Sequence, residues 1–198
     1  MSQYQENIHI AINGPVSAGK STLLKLLLQY KLPQSGTIYY NGRSYDTISP
    51  EEIRNIIGYI PQTPILFNRS IYENITYSRS NATEQEVLDL INKMNLGGLL
   101  AKFPDGLQTN VGKGGSHLSG GQRQIIWILR TIMQNPEVII LDEPTSALDD
   151  DTKHIVQKML EYLIKDRTAI MVTHDKFLYK MADEIIELRN GKFYSKKK

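Results

Sequence analysis

The chain has 198 residues, 40% of them hydrophobic and 22% charged, which is typical of a globular protein of one domain, or of one domain with an inserted lobe. The net charge of +2 is too small to indicate a nucleic-acid or membrane-surface binder, and we expect no nucleic-acid partner. The lack of cysteine excludes disulfides and thiolate metal sites, and no segment approaches the roughly 20 apolar residues of a membrane span.

The first third of the chain alternates between strand-like and helix-like segments. The predicted elements are, in chain order, a buried strand at 7–13, a helix at 20–28, a hairpin around Asn41 and Gly42, a short helix opened by Pro50 and a strand at 56–60. The first strand runs directly into glycine, and Pro33 stops the first helix. The amino terminus has no basic region followed by an apolar run, which argues against a signal peptide.

The rest of the chain resumes this alternation after a different middle region. Residues 68–118 show few strand signals and are interpreted as a helical insertion, with a helix at 84–101 and a glycine-rich loop at 103–117. The later elements are a helix at 119–133, a strand at 137–142, a helix at 151–165, a strand at 168–173, a short helix at 174–181 and a strand at 184–191. We expect Lys196–Lys198 to be a solvated tail. Alternating strands and helices predict a parallel sheet that is covered on both faces.

A glycine-rich stretch between the first strand and the first helix fits a phosphate-binding loop. In "GPVSAGKST" two glycines lie five residues apart and are followed by Lys and Ser, in the strand–loop–helix context that the mechanism needs. Backbone N–H groups would surround the phosphates, Lys20 would reach the β- and γ-phosphates, and the Ser21 hydroxyl would bind Mg²⁺. A glycine-rich turn that ends in Lys-Ser by chance is the alternative. The predicted nucleotide-binding residues are Gly14, Pro15, Val16, Ser17, Ala18, Gly19, Lys20, Ser21 and Thr22.

Two carboxylates follow an apolar strand later in the chain. The segment "EVIILDEP" carries Asp142 and Glu143 at the end of the strand, where ligands bind in open α/β sheets. We expect Asp142 to hold Mg²⁺ directly or through water, and Glu143 to take a proton from the attacking water. An acidic pair at a solvent-exposed strand end is the alternative interpretation.

A second pair of glycines opens the helix at 119–133, in "HLSGGQRQ". Ser119 and Gln122 have the spacing of a capping box, which leaves Gly120 and Gly121 unexplained. We interpret the glycines as space for a γ-phosphate to approach the N-terminus of this helix. Because one ATP would already have its phosphates on the first loop, the second phosphate would belong to a nucleotide held by another subunit.

Four motifs in this order and spacing resemble the ATP-binding domain of an ATP-binding cassette (ABC) transporter. They are the phosphate loop, "LSGGQ", "LDEPTSALD" and "VTHD", and the resemblance covers nearly the whole chain. Three segments are similar to the exporter branch: "YIPQTPILFNRSIYENI" at 59–75, "FPDGLQTNVGKGG" at 103–115, and "LSGGQRQ". The resemblance implies an α/β fold, a P-loop NTPase (RecA-like) core with a parallel sheet and an inserted helical subdomain.

The resemblance also implies roles for residues outside the first three patterns. Gln62 would sense Mg²⁺ and water and move with a transmembrane partner, Ser146–Asp149 would cross the seam of a dimer, and His174 would contact the γ-phosphate. A lone histidine is more often structural, but His174 ends a strand predicted beside the strand of Asp142. The predicted catalytic residues are Glu143, His174 and Gln62. The predicted Mg²⁺ ligands are Ser21, Gln62 and Asp142. The second nucleotide contact is predicted to consist of Ser119, Gly120, Gly121 and Gln122.

Three departures from the family pattern bear on activity. Val16 replaces a polar residue of the family loop and Ser17 replaces a glycine, so one side-chain donor is missing and the backbone at Ser17 is expected to be strained. Only 13 residues precede Gly14, so we expect truncation at the N-terminus, as a fragment or a naturally shortened chain. Tyr4 is the only aromatic residue before the loop, where the family has one that stacks on adenine. Asn110 replaces an acidic residue in a loop that faces the transmembrane partner.

The sequence therefore predicts an Mg²⁺-dependent ATPase of an ABC transporter, at the cytoplasmic face of a membrane, with ATP and Mg²⁺ as cofactors. Two copies, or one copy and a related chain, would enclose two ATP molecules and drive export through separate transmembrane domains. The predicted division is a core at 1–67, a helical signature subdomain at 68–123 and the rest of the core at 124–198.

Two alternatives stay open. The first is an ATP-gated dimeric binding module with little or no hydrolysis, which Val16, Ser17 and the short N-terminal region favour and which Glu143 and His174 argue against. The second is a cassette protein that acts on chromosomes or ribosomes. The chain has neither the long heptad arms of the former class nor the tandem second cassette of the latter.

Overall fold

Strands and helices alternate along residues 7–197, which are the residues that the computed structural model describes. The strands are β1 (His9–Asn13), β2 (Tyr39–Tyr40), β3 (Arg43–Ser44), β4 (Ile57–Ile60), β5 (Val138–Asp142), β6 (Thr168–Val172), β7 (Glu184–Arg189) and β8 (Lys192–Lys197). The α-helices are α1 (Lys20–Leu27), α2 (Pro50–Ile56), α3 (Ile71–Ile75), α4 (Glu84–Lys93), α5 (Gly97–Leu100), α6 (Gly120–Gln134), α7 (Asp150–Ile164) and α8 (Lys176–Met181). The predictions for Tyr4 and Lys198 fall outside the described residues.

Six strands form one mostly parallel sheet in the order β4-β5-β6-β1-β7-β8. β1 pairs in parallel with β6 and β7, β5 pairs in parallel with β6, and β8 runs antiparallel to β7. Ala11, Ile140 and Met171, in the middle of three of these strands, are fully buried. Their strands read as short apolar runs because parallel strands are buried on both faces. The predicted α/β class is confirmed.

The predicted hairpin is also present, with β2 and β3 paired antiparallel. Asn41 and Gly42 have φ angles of 46° and 77°. Both angles lie in the left-handed region that a two-residue hairpin turn requires, which is why this residue pair is a good sequence signal.

Two predicted elements differ from the structure. Residues 84–101 form two helices, α4 and α5, because Asn95 adopts a φ of 57° and ends the first of them. Lys196 and Lys197, predicted as part of a tail, continue β8 and lie opposite Ile185 and Glu184 of β7. This strand was not predicted, because its lysine-rich sequence has no apolar pattern. Its register with β7 is set by the turn that precedes it.

The chain divides into two compact units. The first consists of the residues up to Tyr59 together with Pro136–Glu143 and the residues from Ile164 onwards, and the second of Ile60–Asn135 and Pro144–Leu163. These limits differ from the predicted boundaries, and the predicted boundary after residue 123 falls inside α6. The predicted division into core and signature subdomain stays a prediction.

In the first unit, α1 and α2 pack on the sheet through one apolar cluster. Its fully or almost fully buried members include Leu24 of α1, Ile53 of α2, Ile140 of β5 and Val172 of β6. Burying such side chains stabilises the fold by about 1.5–3 kcal/mol each. This cluster therefore fixes the strands whose carboxyl ends carry the predicted nucleotide site.

In the second unit, a buried arginine joins α6 to α3. Arg130 is 7% exposed, and burial lowers the pKa of its guanidinium to about 10. It donates to the backbone oxygen and to Oδ1 of Asn74, each at 2.6 Å, and its charge lies 4.6 Å from the ring centre of Trp127. The hydrogen bonds and the ring face offset the loss of water around the charge.

None of the helices within residues 7–197 combines the length and the apolar character that a membrane span requires.

Candidate functional site

Three of the predicted site segments follow the carboxyl ends of adjacent parallel strands in the first unit. The glycine-rich loop follows β1, Glu143 follows β5, and His174 lies two residues after β6. In the register of the sheet, Val172 of β6 lies opposite Ile12 of β1 on one side and Asp142 of β5 on the other. The carboxyl ends of the three strands therefore lie side by side, and the structure brings these segments to one edge of the sheet. This edge is where α/β proteins bind ligands.

The loop between β1 and α1 has a backbone that glycine and a strained serine make possible. A Cβ atom on Gly14 would lie 2.3 Å from the backbone oxygen of Leu188 in β7, so a side chain is excluded there. Ser17 has a φ of 65°, in the left-handed region. The expected strain at Ser17 is confirmed, and it is of the order of 1–2 kcal/mol for a residue with a side chain.

Lys20 folds back over this loop. Its ammonium donates to the backbone oxygens of Gly14 at 2.6 Å and Pro15 at 3.0 Å. Val16, by contrast, is 92% exposed and has no polar side-chain atom to offer a ligand. The Lys20 ammonium is therefore held at backbone oxygens of the loop, and the exposed Val16 presents an apolar side chain.

The N-terminus of α1 has no side-chain cap. Gly19 occupies the cap position with a φ of 102°, no side chain accepts a hydrogen bond from the first turn, and no acidic residue lies in that turn. The first backbone N–H groups of a helix have no partner inside the helix, and together with the helix dipole they favour an anion. Ser21 and Thr22, also in this turn, are exposed. The arrangement can bind phosphate oxygens through backbone N–H groups and Lys20.

Asp142, at the end of β5, is held by Tyr59, the first residue of the exporter-like segment at 59–75, for which the sequence predicts no role. The hydroxyl of Tyr59, on the neighbouring strand β4, donates to Asp142 Oδ2 at 3.1 Å. The pKa of the Asp142 carboxyl is raised, mainly because the group is buried, and the negative charge of Glu143 also raises it. The hydrogen bond from Tyr59 and the positive charge of Lys20 act in the opposite direction. The sequence places Tyr59 at the start of the segment at 59–75, three residues before Gln62, but does not show that its hydroxyl reaches Asp142.

Glu143 has an unusual backbone. Its φ is 45°, and its N–H donates to the backbone oxygen of Val172 at 2.8 Å. Its Oε1 lies 3.8 Å from Nε2 of His174, whose side chain is 61% exposed. A left-handed conformation in a residue other than glycine is a strain that often accompanies functional positions. The geometry places a carboxylate and an imidazole side by side at the sheet edge.

The second unit contains the other glycine pair, at the start of α6. Ser119 Oγ accepts from the N–H of Gln122 at 3.2 Å, and Gln122 Oε1 accepts from the N–H of Ser119 at 2.8 Å, which completes the predicted capping box. A Cβ atom on Gly121 would lie 2.4 Å from Thr152 Cγ2 of α7, whereas one on Gly120 would have its nearest neighbour at 3.8 Å. Close helix packing is thus a reason for Gly121 that the sequence interpretation did not include, and Gly120 has no such reason.

The segment Ser146–Asp149 and Gln62 also lie in the second unit. Gln62 Nε2 donates to Ser146 Oγ at 3.1 Å. Asp149 Oδ1 accepts from the N–H of Thr152 at 3.0 Å in the first turn of α7, and this hydrogen bond lowers the pKa of the Asp149 carboxyl. Thr152 therefore contacts the start of α6 through its methyl group and Asp149 through its backbone, a role that its place in the sequence does not reveal.

Comparison with known proteins gives a consistent answer. The protein-family model described as "ABC transporter" matches residues 2–146. The chain is similar to "Iron-sulfur clusters transporter ABCB7, mitochondrial" of Oryzias latipes, with 37% identity over 183 residues, 92% of this chain and 24% of that protein. It is also similar to "ATP-binding cassette sub-family B member 10, mitochondrial" of Mus musculus, with 39% identity over 185 residues, 92% of this chain and 26% of that protein.

A solved structure is similar over almost the same extent. It is described as "Structure of a bacterial Atm1-family ABC exporter with ATP bound", with a TM-score of 0.87, 33% identity, and coverage of 95% of this chain and 33% of that chain. The chain thus spans about a quarter of the length of the two curated relatives and a third of the solved chain.

Proposed function

Since the chain belongs to the ABC transporter family, as an ATP-binding domain of the exporter type, we propose that it hydrolyses ATP in a dimer to power export through transmembrane domains. The dimer is formed with a second copy or with a related chain, at the cytoplasmic face of a membrane. The observation that carries the proposal is the uncapped N-terminus of α1, which lies at the same sheet edge as Asp142, Glu143 and His174.

The first step is nucleotide binding. The N–H groups of the loop and of the first turn of α1 donate to oxygens of the β- and γ-phosphates, and the Lys20 ammonium leaves the oxygens of Gly14 and Pro15 for the phosphate oxygens. The change replaces hydrogen bonds to neutral oxygens with hydrogen bonds to charged oxygens, which are about twice as strong. The exposed Val16 contributes no donor to this cradle.

The residues present suit a magnesium ion that is shared with a nucleotide. Among residues 7–197 there is no cluster of three or more His, Cys, Asp or Glu side chains that holds a metal by itself. Mg²⁺ usually binds through one or two carboxylates, waters and substrate phosphates, and Ser21 and Asp142 supply oxygen ligands of this kind. When bound, Mg²⁺ neutralises charge on the phosphate oxygens. Gln62 is proposed to join these ligands when the nucleotide is present.

Hydrolysis needs a base and a group that contacts the γ-phosphate. Glu143 takes the proton of the attacking water, and His174 binds the γ-phosphate through Nε2, the atom that lies 3.8 Å from Glu143 Oε1. Because Val16 lacks a polar group and Ser17 is strained, turnover is expected to be slow for this family, and the Val16→Ser variant is expected to be faster.

The signature helix completes the site of the opposite subunit. Ser119 and Gly120 are exposed at the start of α6, where the helix dipole favours an anion. Each composite site joins Gly14–Thr22 of one subunit to Ser119–Gln122 of the other, and Ser146–Asp149 cross the seam between them. ATP closes the dimer because these contacts form only when the γ-phosphate is present.

Size-exclusion chromatography with Mg-ATP and an assay of ATP hydrolysis together test the proposal. Glu143→Gln removes the base and one negative charge, so this variant is expected to lose hydrolysis and to elute as an ATP-bound dimer. Glu137→Gln, near the opposite end of β5, is the control and should behave as the wild type. Hydrolysis that persists in Glu143→Gln would contradict the role of Glu143. A wild-type chain that dimerises with ATP without hydrolysing it would favour the alternative of an ATP-gated binding module.

A mixture of two inactive variants tests the shared site. Lys20→Ala removes the cation of the phosphate loop, and Ser119→Arg fills the space at the start of α6. In a mixed dimer both changes fall on one composite site, and the other site is intact. Partial recovery of ATPase activity on mixing is expected. No recovery, with both variants folded and able to dimerise with the wild type, would exclude a site shared between subunits.

A further inference from the structure

We infer that Tyr59 is a positioning residue, which orients the Asp142 carboxylate for the metal ion of the nucleotide complex. The inference rests on the proposed function, and nothing in the family motifs assigns a role to this tyrosine. Its basis is the hydrogen bond of 3.1 Å from the Tyr59 hydroxyl to Asp142 Oδ2, between neighbouring strands of the sheet.

The ring of Tyr59 is held before any ligand binds. It packs against the apolar cluster of the first unit, which includes Ile53, Ile57 and Ile140. Ile140 is fully buried and lies on β5, two residues before Asp142. A ring that packs against this cluster places its hydroxyl with little rotational freedom, and little entropy is lost when the hydrogen bond forms.

The hydrogen bond has a direct consequence for metal binding. An ionised carboxylate only accepts hydrogen bonds and has about four lone-pair sites, so the bond from Tyr59 uses one site on Oδ2 and does not use Oδ1. The carboxylate is oriented by this bond and can still bind an ion or its bound water. Hydrogen bonds to a metal-binding carboxylate fix its orientation, and their loss typically reduces metal affinity by about 10–100-fold. Tyr59 therefore acts on the ion through Asp142 and does not contact it.

The chain contains a matched control. Tyr40 also packs against the apolar cluster, and its hydroxyl donates to Glu137, next to the opposite end of β5 from Asp142. Tyr59→Phe and Tyr40→Phe thus each remove one hydroxyl that binds a carboxylate and keep the ring. The first variant loses the hydrogen bond to Asp142, and the second loses the one to Glu137 near the other end of β5. Only the first is expected to affect the metal ion.

Calorimetric titration of the wild type and both variants with ATP, in EDTA and in Mg²⁺, measures how strongly the metal contributes to binding. The ratio of the dissociation constant in EDTA to that in Mg²⁺ should fall about tenfold in Tyr59→Phe, because the metal then contributes less to binding. The dissociation constant in EDTA should not change, because the phosphate loop is intact. Tyr40→Phe should keep the wild-type ratio. In an Asp142→Asn background, Tyr59→Phe should leave the ratio as it is, because the two residues act as one unit.

Four outcomes would overturn the inference. An unchanged ratio in Tyr59→Phe would show that Asp142 is oriented without the hydroxyl. Equal losses in the Tyr59 and Tyr40 variants, or a loss of affinity in EDTA as well, would show that the hydroxyl only supports the fold. A wild-type chain that binds ATP equally in EDTA and in Mg²⁺ would overturn the proposed Mg²⁺ dependence itself, and the inference with it.

Discussion

The two helices that carry the predicted phosphate-binding motifs begin in opposite ways. α1 starts at a left-handed Gly19, and no side chain caps its N–H groups. α6 starts with a complete capping box, in which Ser119 and Gln122 bind each other's backbone N–H groups. One helix end is therefore uncapped, and at the other the chain itself binds two N–H groups, those of Ser119 and Gln122.

The two helix ends contribute to nucleotide binding in different ways. Leaving the first N–H groups of α1 without a protein partner lowers the stability of that helix, and a bound phosphate would restore it. At α6, the capping box and the packing of Gly121 on Thr152 stabilise the helix without a ligand. A nucleotide of an opposite subunit would therefore meet a preformed surface, in which Ser119 and Gly120 are exposed and Gln122 is partly exposed.

The largest expected effect is at α1. Lys20→Ala removes the only side-chain cation of the loop, and two lost charge-assisted hydrogen bonds of about 1.5–3 kcal/mol each correspond to at least a hundredfold weaker binding of ATP. Calorimetric titration measures the affinity. Lys25→Ala, in the last turn of the same helix, is the control and should bind ATP as the wild type does. Unchanged affinity in Lys20→Ala would place the nucleotide elsewhere.

The next effect concerns the packing of α6. Gly121→Ala forces a Cβ atom against the Thr152 methyl carbon and is expected to lower the free energy of unfolding by about 1–3 kcal/mol. Chemical denaturation measures it. Thr152→Ser in the same chain removes that methyl carbon and keeps the hydroxyl, so it should restore most of the loss.

Gly120→Ala is the control for this prediction, because its Cβ atom has no close neighbour within the described residues. It should be neutral or stabilising by up to about 1 kcal/mol. Equal losses in the two glycine variants would show that the contact with Thr152 is not the reason for Gly121.

A smaller effect is expected at the cap of α6. Ser119→Ala removes the acceptor for the N–H of Gln122 and should lower the free energy of unfolding by about 0.5–2 kcal/mol. The affinity of the isolated chain for ATP should not change. Thr83→Ala, in the capping box of α4, is the comparison and should show a loss of the same size. If Ser119→Ala loses far more ATPase activity than Thr83→Ala at equal stability, the serine also serves the nucleotide.

The smallest effect is at Ser17. Ser17→Gly relieves the left-handed strain but increases the entropy of the unfolded chain, so a net gain of at most about 1 kcal/mol in the free energy of unfolding is expected. Ser80→Gly, at an exposed position outside the left-handed region, should lose stability instead. A loss in both variants would mean that the loop is relaxed as it stands.

The fold class, most of the elements and the candidate residues could be predicted from the amino-acid sequence alone. β1, β5 and β6 are apolar runs, and α1 and α6 begin at glycine or capping signals, which are local patterns that can be read without neighbours. The break at Asn95 and strand β8 were not predicted, because a left-handed residue and an edge strand have weak local signals.

Contacts between residues far apart in the sequence could not be predicted and are seen in the folded structure. The hydroxyl of Tyr59 reaches Asp142, 83 residues later, because β4 and β5 are neighbours in the sheet. The glycine at 121 is explained by Thr152 on another helix, and the glycine at 14 by the backbone of Leu188. Spacing along the chain carries no information about such contacts, since hydrogen bonds and close packing act over a few ångströms between segments that only folding brings together.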